Sequence, residues 1–262
     1  MKHNKNLGFT LIEMSIVLII IGLIVGGVLA GKNMIAAANM RSQITELQKY
    51  KTAVKLFDEL YKGIPGDINN AQTLFGAATA NGNGNGFLEA ATLRVDLLTP
   101  DNAWYDGERP HFFIQLYLAK LINQPFDGSA NLGAGYPRNI LNKNTGMFAA
   151  GPWGISNNAG NGMYTNTASL ITSNLYLAVN IANTSLFNVS GITNGSSHND
   201  YVGVFTPAEM WEMERKIDDN IPSTGKITAQ AINTVVNCGD AITYNLAAGD
   251  NRVCNLHYDL TD

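Results

Sequence analysis

The chain has 262 residues, of which 15% are charged and 45% hydrophobic, and its net charge is −4. That acidic balance argues against binding nucleic acid through bulk electrostatics, and the length divides naturally into one membrane helix and a globular domain of about 200 residues, enough to bury a core. With 26 Gly and 31 Asn, the composition points to a loop-rich exported domain whose surface relies on neutral polar groups.

The chain opens on a short basic stretch, Lys2-His3-Asn4-Lys5-Asn6-Leu7-Gly8, followed by Phe9-Thr10-Leu11-Ile12-Glu13 and an apolar run from Met14 to Gly31. From Phe9 to Gly31 a helix covers roughly 35 Å, enough to cross a bilayer with some tilt. Glu13 is the only charge in that run. A charge deep in a membrane helix costs on the order of 3 kcal/mol, so it normally has a partner or a function. A cut between Gly8 and Phe9 would place a free α-ammonium one helical turn from Glu13, and the same pair could form between neighbouring copies. An ordinary signal peptide is the alternative, with Lys2 and Lys5 as its basic region and cleavage at Val28-Leu29-Ala30. Against it stand the carboxylate at the start of the apolar run and a helical periodicity that continues past residue 30.

In these residues the sequence resembles the type IV pilins and the pseudopilins of type II secretion. The resemblance covers about the first quarter of the chain. It implies that a prepilin peptidase cuts after Gly8 and methylates the new amino group of Phe9. It also implies that Glu13 neutralises the Phe9 ammonium of an adjacent subunit during assembly. Lys2 and Lys5 favour a cytoplasmic N-terminus and place residues beyond about 32 outside.

After Gly31 no Gly or Pro occurs until Gly63. Met40, Ile44, Leu47, Tyr50, Val54, Phe57 and Tyr61 form a stripe at spacings of three and four, the mark of an amphipathic helix. The predicted helix from Phe9 to Lys62 is roughly 80 Å long. Gly22, Gly26, Gly27 and Gly31 give two small-xxx-small spacings that allow close approach between membrane helices. Gly63, as the residue after the helix, and Pro65 end it.

In the head, Asp67 is expected to cap a short helix through about Leu74. Asn81, Asn83 and Asn85, with Gly86 and Leu88, follow the outline of an EF-hand loop and make a calcium candidate. Carboxylates are missing where that loop needs them: Glu89 stands at its ninth position and Thr92 replaces the closing Glu. A Gly/Asn turn is the default reading. Glu108 to Ile122 reads as a helix with Pro110 in its first turn. Residues 127 to 167 read as long connections with short strands. Leu175 to Ile181 alternates as a strand, with weaker strands at Leu186 to Val189 and Tyr201 to Phe205. Thr206-Pro207-Ala208-Glu209 predicts a capping box opening a helix to Asp219. Asp218 and Asp219 invite a metal or acid-base reading, against which stands the commoner role of capping or solvated carboxylates. The phrases around Gly63-Ile64-Pro65-Gly66-Asp67 and Lys216 to Pro222 resemble a subgroup of large prepilin-type proteins.

Strands are expected at Ile242 to Leu246 and Arg252 to Tyr258. Cys238 and Cys254 are the only cysteines. In an exported chain the even count invites a disulfide closing a loop of about 15 residues, contributing on the order of 3 kcal/mol. Two reduced buried thiols are the alternative; many type IV pilins close a C-terminal loop this way, so the resemblance supports the bridge.

No G-x-S-x-G, H-E-x-x-H or phosphate-binding loop occurs, and His111, His198 and His257 are scattered. The reading is a non-enzymatic structural subunit, with no cofactor beyond the calcium candidate. Its expected fold is α+β: a leader over 1–8, a long helix over 9–62 (9–31 in the membrane or filament core, 32–62 amphipathic) packed on an antiparallel sheet, and an enlarged head over 63–262. The resemblance implies self-assembly with other pilin-like subunits, a prepilin peptidase and an inner-membrane assembly platform as partners. It also implies residence in the bacterial inner membrane with a periplasmic head, then in a periplasmic pseudopilus or an extracellular filament. The alternatives are a minor tip subunit whose head binds a surface or secreted substrate, and a membrane-anchored hydrolase.

Overall fold

The computed structural model describes residues 10–86, 88, 108–129, 132–143, 145–150, 176–182, 204–231, 238–240 and 242–260. Gly8, Phe9, Glu89, Thr92, His198, the candidate strand at Leu186 to Val189 and most of that at Tyr201 to Phe205 lie outside them. The chain falls into two compact units, residues 1–42 and 43–262.

Helix α1 runs unbroken from Leu11 to Tyr61. Its first part is apolar all round and exposed, with Leu11 at 88% and Leu23 at 72% of full exposure. This is one helix long and apolar enough to cross a membrane. The helix continues unbroken through Gly22, Gly26, Gly27 and Gly31, where an added Cβ would meet open space. From Gln43 on, the character changes. Leu47, Tyr50, Ala53, Val54 and Phe57 are buried in the second unit, as their spacing of three and four requires.

The helix ends differently from the expectation. The left-handed residue is Lys62, at φ 56°, rather than Gly63. Gly63 is needed for room, because a Cβ there would meet Ile68 Cγ2 at 2.7 Å. Ile64 to Asp67 then form a turn with Pro65 and Gly66 in the centre, closed by Asp67 N–H donating to the Ile64 carbonyl at 3.0 Å. Asp67 does not cap the short helix α2 (Ala71–Phe75) that follows. Its carboxylate is taken up elsewhere, as described below.

Helix α3 (Arg109–Leu118) begins with Pro110 in its first turn. It stops short of Ile122 because Lys120 turns left-handed, at φ 61°. Phe113 is the hub of the core. Its ring meets Tyr50 of α1 edge-on at 5.3 Å, Phe112 at 4.9 Å, Phe126 at 5.3 Å and Tyr136 at 6.1 Å.

Among the described residues four strands make one antiparallel sheet: β1 (Thr145–Ala150), β2 (Tyr176–Ala182), β3 (Ile227–Ala231) and β4 (Cys254–Asp259), in the order β1-β2-β4-β3. β1 carries an irregularity between Gly146 and Met147. Buried Gln43 of α1 links to the β1 region, accepting from Ile140 N–H at 2.9 Å. Helix α4 (Pro207–Ile217) opens on the expected capping box: Glu209 N–H donates to Thr206 Oγ1 at 3.1 Å, and Thr206 N–H to Glu209 Oε2 at 3.0 Å. The expected strand from Ile242 to Leu246 is replaced by a turn. Asp240 Oδ1 accepts from both Ile242 and Thr243 N–H, and a 3-10 turn follows at Leu246–Ala248. The architecture is therefore α+β, a long helix with a small antiparallel sheet.

Candidate functional site

Thr10 and Glu13 begin α1. Glu13 Oε2 accepts from Thr10 N–H at 2.7 Å and from Thr10 Oγ1 at 2.8 Å, while Glu13 N–H donates to Thr10 Oγ1 at 3.3 Å. This is a capping box on the exposed, apolar end of the helix. Within its own chain the carboxylate thus already has two donors, which offsets part of the cost of placing it among apolar side chains. Gly8 and Phe9, the other two residues of the site, lie outside the described residues. That Thr10 shares the carboxylate was legible in principle, because Thr and Glu stand three apart at a helix start.

Cys238 and Cys254 are joined in a disulfide. It closes the last loop onto β4, whose first residue is Cys254, and Cys254 also exchanges backbone hydrogen bonds with Phe205 at 3.0 Å. Arg252, just ahead of it, forks onto Glu209, with both pairs at 3.0 Å, and donates to the Val204 carbonyl. The start of α4 is thus pinned to the end of the disulfide loop.

Among the described residues, one group of carboxylates comes together: Glu214, Asp218 and Asp219, with oxygens within 4.8 Å of one another. Glu214 is buried, and its Oε1 accepts from Tyr244 Oη at 2.9 Å. Burial pushes its carboxyl up to about 8; the Tyr244 hydrogen bond opposes this and the charges of Asp218 and Asp219 add to it. The same burial, with Glu214 beside it, raises the Tyr244 phenol. Asp218 and Asp219 do the local work of a helix end. Asp218 accepts from Ile227 N–H, and Asp219 accepts from Ile221 N–H at 2.9 Å and Thr224 Oγ1 at 2.6 Å. The two carboxylates thus hold the turn that follows α4 and the start of β3, while with Glu214 they form a cluster whose oxygens could also hold a metal ion.

The loop of the calcium candidate has its polarity set by a residue the motif does not contain. Asp67 is 3% exposed, and its Oδ1 accepts from Gly84 and Asn85 N–H at 2.9 and 3.1 Å, its Oδ2 from Gly86 N–H at 2.8 Å. Asn81 Oδ1 accepts from Gln72 N–H at 2.8 Å and Asn83 Oδ1 from Asn85 N–H at 2.9 Å. Successive inward N–H groups form a nest for an anion, and that anion is the chain's own Asp67. Gln115 of α3 steadies the same region, with Oε1 accepting from Gly66 N–H at 2.6 Å.

The two described head histidines serve structure. Ala80 N–H donates to His111 Nδ1 at 3.3 Å. His257 lies inside β4, where burial lowers it to about 4 and keeps it neutral.

Residues 3–29 match the family model described as the prokaryotic N-terminal methylation motif. The match takes in Gly8, Phe9 and Glu13. Neither a curated protein nor a solved structure matches the chain.

Proposed function

We propose that this chain, which carries the prepilin-type motif of type IV pilins and pseudopilins, is a structural subunit that polymerises through α1 into a type IV filament or secretion pseudopilus. The coarse statement rests on the motif itself, which marks a pilin-like exported subunit anchored in a membrane before assembly. Prepilin peptidase would cut after Gly8 and methylate Phe9, leaving a charged amine at the head of an apolar helix.

The observation that carries the reading is the matched motif joined to a helix whose apolar span is 0% buried in its own chain. An unsheltered apolar surface of that length needs either lipid or neighbouring helices. Lipid serves before assembly; copies of the same helix, and of other pilin-like subunits, serve after it. On leaving lipid, Glu13 exchanges some of its bonding to Thr10 for the Phe9 ammonium of a neighbour, and the pair sets the axial register. Inner-membrane assembly proteins would supply the extraction.

Glu13→Ala tests this reading. The variant is expected to reach the membrane and to keep the fold of its head, because the Glu13 side chain hydrogen-bonds only to Thr10 among the described residues. It is expected to yield few or no filaments by electron microscopy of sheared cells. Filaments at the parental level would remove the Glu13 part of the account.

A further inference from the structure

The stretch 81–86 is three consecutive Asn-Gly pairs. Asn-Gly is the dipeptide most prone to spontaneous deamidation, because a glycine offers no side chain to obstruct the attack. The glycine nitrogen loses its proton and attacks the preceding Asn Cγ, and ammonia leaves. Water then opens the resulting five-membered succinimide to aspartate or isoaspartate. No oxidant or reductant is needed.

The fold cannot avoid these glycines. Gly84 and Gly86 stand at φ +73° and +87°, and a Cβ on Gly82 would meet Asp67 backbone atoms at 2.3 Å. Nor are the asparagines idle, since Asn81 and Asn83 accept backbone N–H groups through their side chains. A labile sequence is thus imposed by the conformation.

The same conformation restrains the chemistry. Gly82 N–H donates to the Ile68 carbonyl at 2.9 Å; Gly84 N–H donates to both the Asp67 carbonyl at 2.8 Å and Oδ1 at 2.9 Å; Gly86 N–H donates to Asp67 Oδ2 at 2.8 Å. The amides between them are also taken, that of Asn83 by Glu108 Oε1 at 2.8 Å and that of Asn85 by Asp67 Oδ1. Removing a proton from Gly84 or Gly86 would set a second negative charge beside a buried carboxylate. Rotating either nitrogen toward its Cγ would leave that carboxylate short of a donor.

We propose that Asn83 and Asn85 are deamidation sites held dormant by the carboxylate of Asp67. Reaction is confined to molecules in which the loop has opened, so its rate reports that local opening. The change is one-way. A new carboxylate within the nest repels Asp67, and an isoaspartate link adds a backbone atom that shifts every later amide out of place.

The test follows the three sites by peptide mapping and mass spectrometry in the full chain, held in detergent micelles at mildly alkaline pH. A synthetic peptide of residues 79–88 gives the unrestrained rate. In the protein, Asn83 and Asn85 are expected to convert at least about tenfold more slowly than in the peptide. Asp67→Asn, which turns a donor toward the nest in place of one acceptor, is expected to bring Asn83 or Asn85 toward the peptide rate. Asn81, whose neighbouring amide bonds to Ile68, should change less. Conversion in the wild type at the peptide rate overturns the proposal, as does slow conversion that Asp67→Asn leaves untouched at both sites. Should Asp67→Asn speed all three sites alike through loss of the fold, hydrogen exchange of the wild type decides. Slowed exchange at Gly84 and Gly86 supports the proposal, and exchange at the peptide rate overturns it.

Discussion

Gly225 sits at φ +85°, and a Cβ there would approach Asp218 Oδ1 to 2.2 Å. Gly225→Ala therefore combines a strained backbone with the loss of the Asp218 contact that joins α4 to β3. A cost of about 2 kcal/mol is expected in denaturant unfolding; alanine at Gly249, at φ +60°, shares the backbone strain but meets open space, so it should cost less. Glu214 gives a second residue-level expectation. Its folded carboxyl is pushed up to about 8 from an ordinary 4.5, so the folded state keeps a proton that the unfolded chain releases. The resulting stability is fully present below about 4.5 and is lost as pH rises through about 8. Glu46, pushed up to about 7 by burial against the opposing Lys49 charge and Tyr50 hydrogen bond, acts in the same direction. The thermal midpoint should fall between pH 5 and pH 8, less steeply below about 6.5, where the buried neutral His257 acts in the opposite direction, and Glu214→Gln should flatten part of that slope. A midpoint that rises over this range would contradict the assignment. None of this was legible in the sequence, because a pKa depends on what surrounds a carboxylate, and Glu214 and Tyr244 are 30 positions apart.

At the level of elements, legibility followed the range of the forces. Helix α4 was readable to within two residues because its start is written locally in Thr206, Pro207 and Glu209. The buried stripe of α1 was readable because one side of a helix faces a core. Asp67 was misread as a cap because its partners, Gly84 to Gly86, lie 17 to 19 residues away. β3, only five residues long, has no pattern that stands out until β4 offers it hydrogen bonds. The disulfide adds a covalent element at the start of β4, beside the Arg252–Glu209 fork and the Tyr244–Glu214 bond. Replacing both cysteines by serine is expected to cost about 3 kcal/mol and to show first as faster exchange in residues 238–254. Unchanged denaturant stability in the oxidised protein and the double variant would mean that the bridge adds nothing to the noncovalent ties.

At the scale of the whole molecule, one helix carries two kinds of surface. Up to about residue 31 it is apolar all round and unburied; from Gln43 it is the spine of the head. The motif at residues 3–29 was legible at once because it is written in contiguous residues whose chemistry depends on their spacing alone. The head was legible only in pieces, since its aromatic core gathers Tyr50, Phe113, Phe126 and Tyr136 from distant segments. Processing is the step on which the functional account depends, because only a cut after Gly8 would create the amine that the proposal pairs with Glu13. The most direct measurement is mass spectrometry of the N-terminal peptide of the mature chain purified from membranes. The account predicts a chain that begins at Phe9 with a methylated amino group. A mature chain that begins at Gly31, or one that retains residues 1–8, would contradict it.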